Sequence, residues 1–155
     1  MWEGELHMVP PPSDRHQEVS GRLYRILAEV AERKGLMARF EGGLFRPGTD
    51  TDYRVPDQTY ARPEYRSTRG VEGAASLVVE ILSPNDETYG KLDWYASVAV
   101  GEVLVIDPET RHVELFANRE GRMEPVEPVV ECLGVRAETV DGTLRLTWDG
   151  GSADI

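Results

Sequence analysis

Two charged residues of the sequence stand where they could do chemistry together. Glu80 interrupts the apolar, β-branched run at residues 77–82, which is typical of a strand buried on both faces. A carboxylate in such a strand needs a cation, a metal ion or hydrogen-bond donors to offset its desolvation. Lys91 falls in the first or second turn of the helix predicted next, which begins where this strand ends. The pair is either a buried ion pair that only joins helix to sheet or part of a catalytic site.

A third acid, Asp57, lies on the preceding predicted strand, in the stretch YRVPDQTY. If the two strands are neighbours, the carboxylates of Asp57 and Glu80 converge on one site at the sheet, and Lys91 can join them. Two acids and a lysine in that arrangement suit a hard divalent cation and the chemistry of a phosphodiester. The three residues are therefore a candidate catalytic group.

The elements that must position these residues follow from the hydrophobic periodicity. Apolar residues recur three and four apart at residues 15–33, which predicts an amphipathic helix with Ser13 or Asp14 as its cap. A second helix, capped by Asn85 or Asp86, carries Lys91 and further residues at helical spacing, namely Trp94, Tyr95 and Val98. Strands are predicted at residues 3–9, 36–46, 53–60, 76–82, 102–107 and 143–148, with a hairpin at 111–117 and 122–130 and a frayed tail at 150–155.

The order of these elements is a helix, three strands, a helix and a strand, followed by a C-terminal β-hairpin. This order predicts an α/β or α+β fold with a mixed central sheet. The 155 residues are enough for one domain in which helices pack on a sheet. We therefore expect residues 1–155 to form a single domain.

The charge of the chain restricts the classes of partner. A formal net charge of −11 argues against a protein that simply coats nucleic acid, because phosphate contacts need a basic surface. The excess acid lies mostly in the C-terminal part. In the stretch at residues 62–73, Arg62, Arg66 and Arg69 outnumber the acids, which makes this stretch a candidate phosphate-contacting loop. A solvated loop without a ligand is the alternative interpretation.

The sequence also limits the compartment. Its single cysteine, Cys132, excludes an internal disulfide and the paired spacings of a zinc ribbon. The first residues lack the basic and apolar regions of a signal peptide, and no apolar run approaches the length of a membrane span. We therefore expect a cytoplasmic protein without a membrane partner.

At this point the chain resembles a known family. The residues that carry the resemblance are Pro56, Asp57, the run VVEILSP at residues 78–84, Lys91, Tyr95, Glu102, Ile106, Asp107 and Pro108. Their order and spacing are similar to those of a large bacterial family of restriction-endonuclease-like proteins, long catalogued as a domain of unknown function. This family belongs to the PD-(D/E)xK nuclease superfamily, and the resemblance covers most of the chain.

The resemblance implies a restriction-endonuclease-like core and a role for each matched residue. Asp57 and Glu80 would bind Mg²⁺ or Mn²⁺, together with the carbonyl of Ile81. Leu82 stands where the superfamily usually has its lysine, so Lys91 would take over that role from the helix. It would orient or deprotonate the attacking water and offset charge in the transition state.

Three further residues are supporting candidates. His16 matches a histidine frequent in the first helix of the family, and Tyr95 matches the aromatic residue that follows the lysine. Glu18 lies in the first turn of the first helix, where an acid also complements the helix dipole. His16 and Tyr95 are as easily explained by a structural role, and for Glu18 the capping role is the favoured interpretation.

Two functions from different classes follow. The first is a metal-dependent nuclease that hydrolyses DNA, with Arg15 and Arg22 facing the site and two or more copies forming a homo-oligomer, because two strands need two sites. The second is a non-catalytic binding or assembly module that retains the nuclease fold. Retention of all three catalytic candidates favours the first function, and the net acidity favours the second.

Overall fold

The computed structural model describes residues 11–155, so the strand predicted at residues 3–9 lies outside the described residues. The helices are α1 (Asp14–Arg33) and α2 (Leu92–Ser97). The strands are β1 (Met37–Phe40), β2 (Leu44–Phe45), β3 (Tyr53–Arg54), β4 (Gln58–Ala61), β5 (Val71–Glu72), β6 (Leu77–Ile81), β7 (Glu102–Ile106), β8 (Val113–Arg119), β9 (Arg122–Val126), β10 (Val129–Val130), β11 (Val135–Val140), β12 (Thr143–Trp148) and β13 (Gly151–Asp154).

The main sheet has six strands in the order β1-β4-β6-β7-β8-β9. Strands β6 and β7 run parallel, whereas the other neighbouring pairs run antiparallel, so the sheet is mixed as predicted. All residues of β6 and β7 are buried, which fits a central parallel pair covered on both faces. The predicted fold class is confirmed.

The two helices cover opposite faces of this sheet. Leu104 and Ile106 share a buried cluster with Leu23 and Leu27 of α1. The alternate residues of β7 belong to a second cluster with Tyr95 of α2. Since successive side chains of a strand point to opposite faces, α1 packs on one face and α2 on the other. The end of the sheet is therefore flanked by a helix on each side.

The first helix begins and ends where the sequence predicts. Ser13 is its N-cap, and the Ser13 hydroxyl accepts a hydrogen bond of 3.1 Å from the backbone N–H of His16. The helix ends before Gly35, which has a φ of 75° and so adopts the left-handed conformation common after a helix. Because the cap fixes the first turn, it also fixes His16 near the end of the sheet.

Two predicted strands are broken. The strand predicted at residues 36–46 splits into β1 and β2 because Glu41 has a φ of 50° and is followed by two glycines. The strand predicted at residues 53–60 bends at residues 55–57. Strands β2 and β3 join β5 in a separate three-stranded sheet, in the order β3-β2-β5. The second bend places Asp57 at the end of β4.

The C-terminal part contains more sheet than predicted. The sequence analysis missed β11, and the predicted frayed tail at residues 150–155 is wrong, because it contains β13. These strands form an antiparallel sheet in the order β10-β11-β12-β13. Ile155 is 5% exposed, and its backbone pairs with Leu144 through hydrogen bonds of 2.8 and 3.0 Å. Within residues 11–155, no helix is long and apolar enough to cross a membrane.

Candidate active site

Asp57 and Glu80 meet at the end of the main sheet. In the antiparallel pair β4 and β6, Gln58 lies opposite Val79, so the next position outward places Asp57 opposite Glu80. Asp57 Oδ2 accepts a hydrogen bond of 2.7 Å from the backbone N–H of Ile81. The strands that carry the two acids are therefore neighbours, as predicted, and the bend before β4 turns the Asp57 carboxylate toward the end of β6.

Glu80 is almost fully buried, and one of its oxygens is shared by two donors. Its side chain is 4% exposed, and Oε1 lies 3.2 Å from Lys91 Nζ. The hydroxyl of Tyr95 donates to the same oxygen. Burial raises the pKa of Glu80 to about 7; the Lys91 ammonium opposes this rise and the Asp57 charge adds to it. The predicted meeting of Glu80 and Lys91 is present, and Tyr95 joins them.

Lys91 is presented by a tight turn and not by the helix itself. The 3-10 turn Thr88–Lys91 leads directly into α2. The predicted helix cap at Asn85 or Asp86 is wrong, because Asn85 has a φ of 63° and the Asp86 carboxylate accepts from the Ser83 N–H at 3.2 Å. That bond closes the loop after β6 and lets the chain enter the turn that carries Lys91.

Contacts with the β2–β3 connection hold α2 in place. Trp94 Nε1 donates to Asp52 Oδ1 at 2.8 Å. The guanidinium of Arg54 lies 4.7 Å from the centre of the Trp94 ring, and Arg46 donates to the Ser97 hydroxyl at 2.8 Å. A helix of six residues has little stability of its own. These contacts therefore fix the helix, and with it the approach of Lys91 and Tyr95 to Glu80.

His16 lies against Asp57 on the other side of the site. It is 5% exposed, and its Nε2 lies 3.4 Å from Asp57 Oδ1. This interaction raises the pKa of His16 above its ordinary value, although burial alone would lower it. Glu18 is placed differently, because its exposed carboxylate pairs with Arg22 at 3.9 Å. The structure thus brings His16 to Asp57 and leaves Glu18 on the solvent face of α1.

The three arginines of the candidate loop differ in their surroundings. Arg69 donates to Glu72 at 2.8 Å and to Asp50 at 2.7 Å, and its guanidinium lies 4.4 Å from the centre of the Phe45 ring. Arg62 lies 3.9 Å from Glu64 with both side chains largely exposed, and Arg66 is also exposed. Arg69 is therefore already engaged by acids, whereas Arg62 and Arg66 face solvent.

The sequence matches the model of a known protein family. A family model described as "Uma2: Putative restriction endonuclease" matches residues 1–147. The chain belongs to the Uma2 family. No relative among curated proteins matches it.

Among seven matching chains of known structure is the crystal structure of a "putative nuclease belonging to DUF820" from Anabaena variabilis ATCC 29413. It is 19% identical to the Uma2 chain with a TM-score of 0.63, and the match covers 82% of this chain and 75% of that one. At this identity the likeness establishes the fold. A cryoEM structure of a DrdV–DNA complex also matches, with 14% identity, a TM-score of 0.44 and coverage of 72% of this chain and 10% of that one.

The donor atoms of the Uma2 site suit a hard cation. Asp57 and Glu80 supply carboxylate oxygens, and Ile81, whose backbone N–H donates to Asp57, directly follows Glu80 in the chain. Within residues 11–155, no group of three or more His, Cys, Asp or Glu side chains is arranged to hold a metal ion. Mg²⁺ often takes only one or two carboxylates and keeps several waters. The oxygen donors present therefore fit such an ion without a third acidic side chain.

The Uma2 site also contains an acid that the sequence analysis considered only as a helix cap. Asp86 Oδ1 lies 4.0 Å from Lys91 Nζ, and the side chain of Asp86 is 17% exposed. This distance to Lys91 places the Asp86 carboxylate on the side of the loop that faces the site. Its place in the sequence five residues before Lys91 was the only available signal.

Proposed function

We propose that this protein is a metal-dependent nuclease that hydrolyses phosphodiester bonds of DNA, with Asp57, Glu80 and Lys91 as its catalytic residues. The observation that supports this most directly is the convergence of the three side chains at one end of the main sheet, with Lys91 Nζ 3.2 Å from Glu80 and Asp57 bonded to the adjacent Ile81 N–H. Membership of a family described as "Putative restriction endonuclease" supports this class of reaction.

Asp57, Glu80 and the Ile81 carbonyl would hold the divalent cation, Mg²⁺ or Mn²⁺. When bound, such an ion polarises the phosphoryl oxygen and lowers the pKa of a coordinated water. The protein contributes the fixed positions of the donors: Asp57 is oriented by Ile81 and His16, and Glu80 is oriented by Tyr95. These contacts hold the two carboxylates in place before substrate arrives.

Lys91 would act on the water and on the phosphate. Burial alone would lower the pKa of Lys91, but the charges of Glu80, Asp86 and Asp57 together outweigh this effect and keep the pKa above its ordinary value. Lys91 is therefore a cation at neutral pH. An ammonium in this position orients the attacking water and offsets the negative charge that develops on the phosphate oxygens.

The competing function is a non-catalytic binding or assembly module. The net charge of −11 argues against DNA as the ligand, because a protein that binds polyanions is usually basic. It therefore favours this alternative. Incubation of DNA with Mg²⁺ and with a chelator separates the two functions. We expect strand breaks with Mg²⁺ or Mn²⁺, none with the chelator, and recovery when the cation is restored. Intact DNA under every metal condition would reject the nuclease and favour the module.

The exposed arginines of the loop should bind phosphates of the DNA. For the Arg62→Ala, Arg66→Ala, Arg69→Ala triple variant, we expect the slope of log affinity against log salt to flatten by roughly 0.9 for each phosphate that the variant no longer neutralises. Because Arg69 is held by Glu72 and Asp50, Arg69→Ala alone should change the slope least, which makes it the matched control. A triple variant with the wild-type slope would show that this loop does not touch the nucleic acid.

We also propose that two copies act together on duplex DNA. A duplex has two strands, and one site of this kind cuts one strand at a time. Assembly would also place the acidic C-terminal part away from the DNA or against the other subunit.

A further inference from the structure

Lys91 lies between two carboxylates. Its ammonium is 3.2 Å from Glu80 Oε1 and 4.0 Å from Asp86 Oδ1. The side chain of Lys91 is 22% exposed, so most of its surface is removed from water. A charge in such surroundings needs a partner of opposite sign, and leaving it without one is costly.

The bond between Lys91 and Glu80 conflicts with the proposed metal role of Glu80. A dication bound by Glu80 would repel an ammonium held on the same carboxylate. Glu80 Oε1 would remain hydrogen-bonded after Lys91 leaves, because Tyr95 donates to the same atom. Lys91 is therefore the group that must move, and it needs another acceptor within a short distance.

Asp86 is prepared to be that acceptor. Its Oδ2 is fixed by the Ser83 N–H at 3.2 Å, while Oδ1 faces Lys91. A movement of about 1 Å would bring the ammonium within hydrogen-bond distance of Oδ1. Among residues 11–155, the carboxylates within 4.0 Å of Lys91 Nζ are those of Glu80 and Asp86.

We propose that Asp86 is a positioning residue that receives Lys91 when Glu80 takes up the metal ion. The ammonium then lies beside the site, free of Glu80 and available to the attacking water and the phosphate. This inference rests on the proposed nuclease function for its role in catalysis. The exchange of partners itself is testable without metal or substrate, because Glu80→Gln removes the charge that holds Lys91.

The chain is well suited to that test because Lys34 and Lys91 are its two lysines. In protein labelled with ¹³C at the lysine Cε atoms, exposed Lys34 serves as an internal reference for Lys91. We expect Asp86→Asn to shift the Lys91 signal more in the Glu80→Gln background than in the wild-type background. Glu87→Gln, which removes a charge from the exposed neighbouring residue, should have little effect in either background. Equal shifts from Asp86→Asn in both backgrounds would overturn the proposal.

Steady-state kinetics provide a second test of the role of Asp86. With Mg²⁺ and DNA, Asp86→Asn should lower kcat by about tenfold, the decrease expected when one charge-assisted hydrogen bond is removed, with little change in KM. Glu87→Gln should leave both constants unchanged, and wild-type kcat in Asp86→Asn would contradict the proposal. If the wild-type protein cleaves no DNA, the nuclease function fails, and the lysine signals alone decide whether Asp86 receives Lys91.

Discussion

Asp57→Asn and Glu80→Gln should each abolish metal-dependent cleavage of DNA while the protein stays folded. Each change keeps the shape of the side chain and removes the charge that would bind the cation. A catalytic metal ion supplies several kcal/mol of transition-state stabilisation, so we expect kcat/KM to fall on the order of 10³-fold. The measurement is the initial rate of cleavage of a labelled duplex in Mg²⁺, with circular dichroism to verify the fold.

The matched control for these variants is Glu18→Gln. It also removes one acid, but Glu18 lies on the solvent face of α1 and pairs with Arg22. We expect nearly wild-type cleavage from it. If cleavage persists in both Asp57→Asn and Glu80→Gln, the activity comes from a contaminating nuclease and the proposed site is wrong.

Lys91→Met should have the largest effect on stability, and this effect should depend on pH. Removing Lys91 leaves the buried Glu80 carboxylate without its cation, which costs about 3 kcal/mol when Glu80 is ionised. The pKa of Glu80 is raised from 4.5 to about 7 in the folded protein. Glu80 therefore stabilises the fold most at pH values below its unfolded pKa. This stabilisation is lost as the pH rises through about 7. Without Lys91 the folded pKa rises further, so this loss continues to higher pH.

Chemical denaturation should therefore show a larger deficit for Lys91→Met at about pH 9 than at about pH 5. Adding Glu80→Gln should restore most of the stability at high pH, because no buried charge remains. Lys34→Met is the control, since Lys34 is an exposed lysine. A deficit of equal size at both pH values would mean that Lys91 acts through packing alone.

The central strands were predictable because their signals are local and strong. The apolar runs of β6 and β7 predicted where these two strands lie. Glu80, the acid inside the run of β6, indicated the site. The pairing of Asp57 with Glu80 required two inferences: neighbouring strands and a shared direction of the side chains. The order of the motifs, matched to a family, supported the first inference.

Other features depend on contacts that periodicity does not contain. The 3-10 turn before α2 follows a loop that the bond between Asp86 and Ser83 closes, and the bend at residues 55–57 interrupts a run predicted as one strand. β13 was missed because its alternating pattern is short and polar, and it is held by pairing with β12. Arg69 looked available for phosphate, but distant Asp50 and nearby Glu72 engage it.

Binding of Mn²⁺ between Asp57 and Glu80 tests the central claim most directly. Crystals soaked in Mn²⁺ and measured for anomalous scattering should show one peak within coordination distance, about 2.2 Å, of the Asp57 and Glu80 carboxylates and the Ile81 carbonyl. The peak should be absent in crystals of Asp57→Asn. No peak in the wild-type crystals at saturating Mn²⁺, with Lys91 still bonded to Glu80, would contradict the account and identify the three residues as a structural ion-pair cluster.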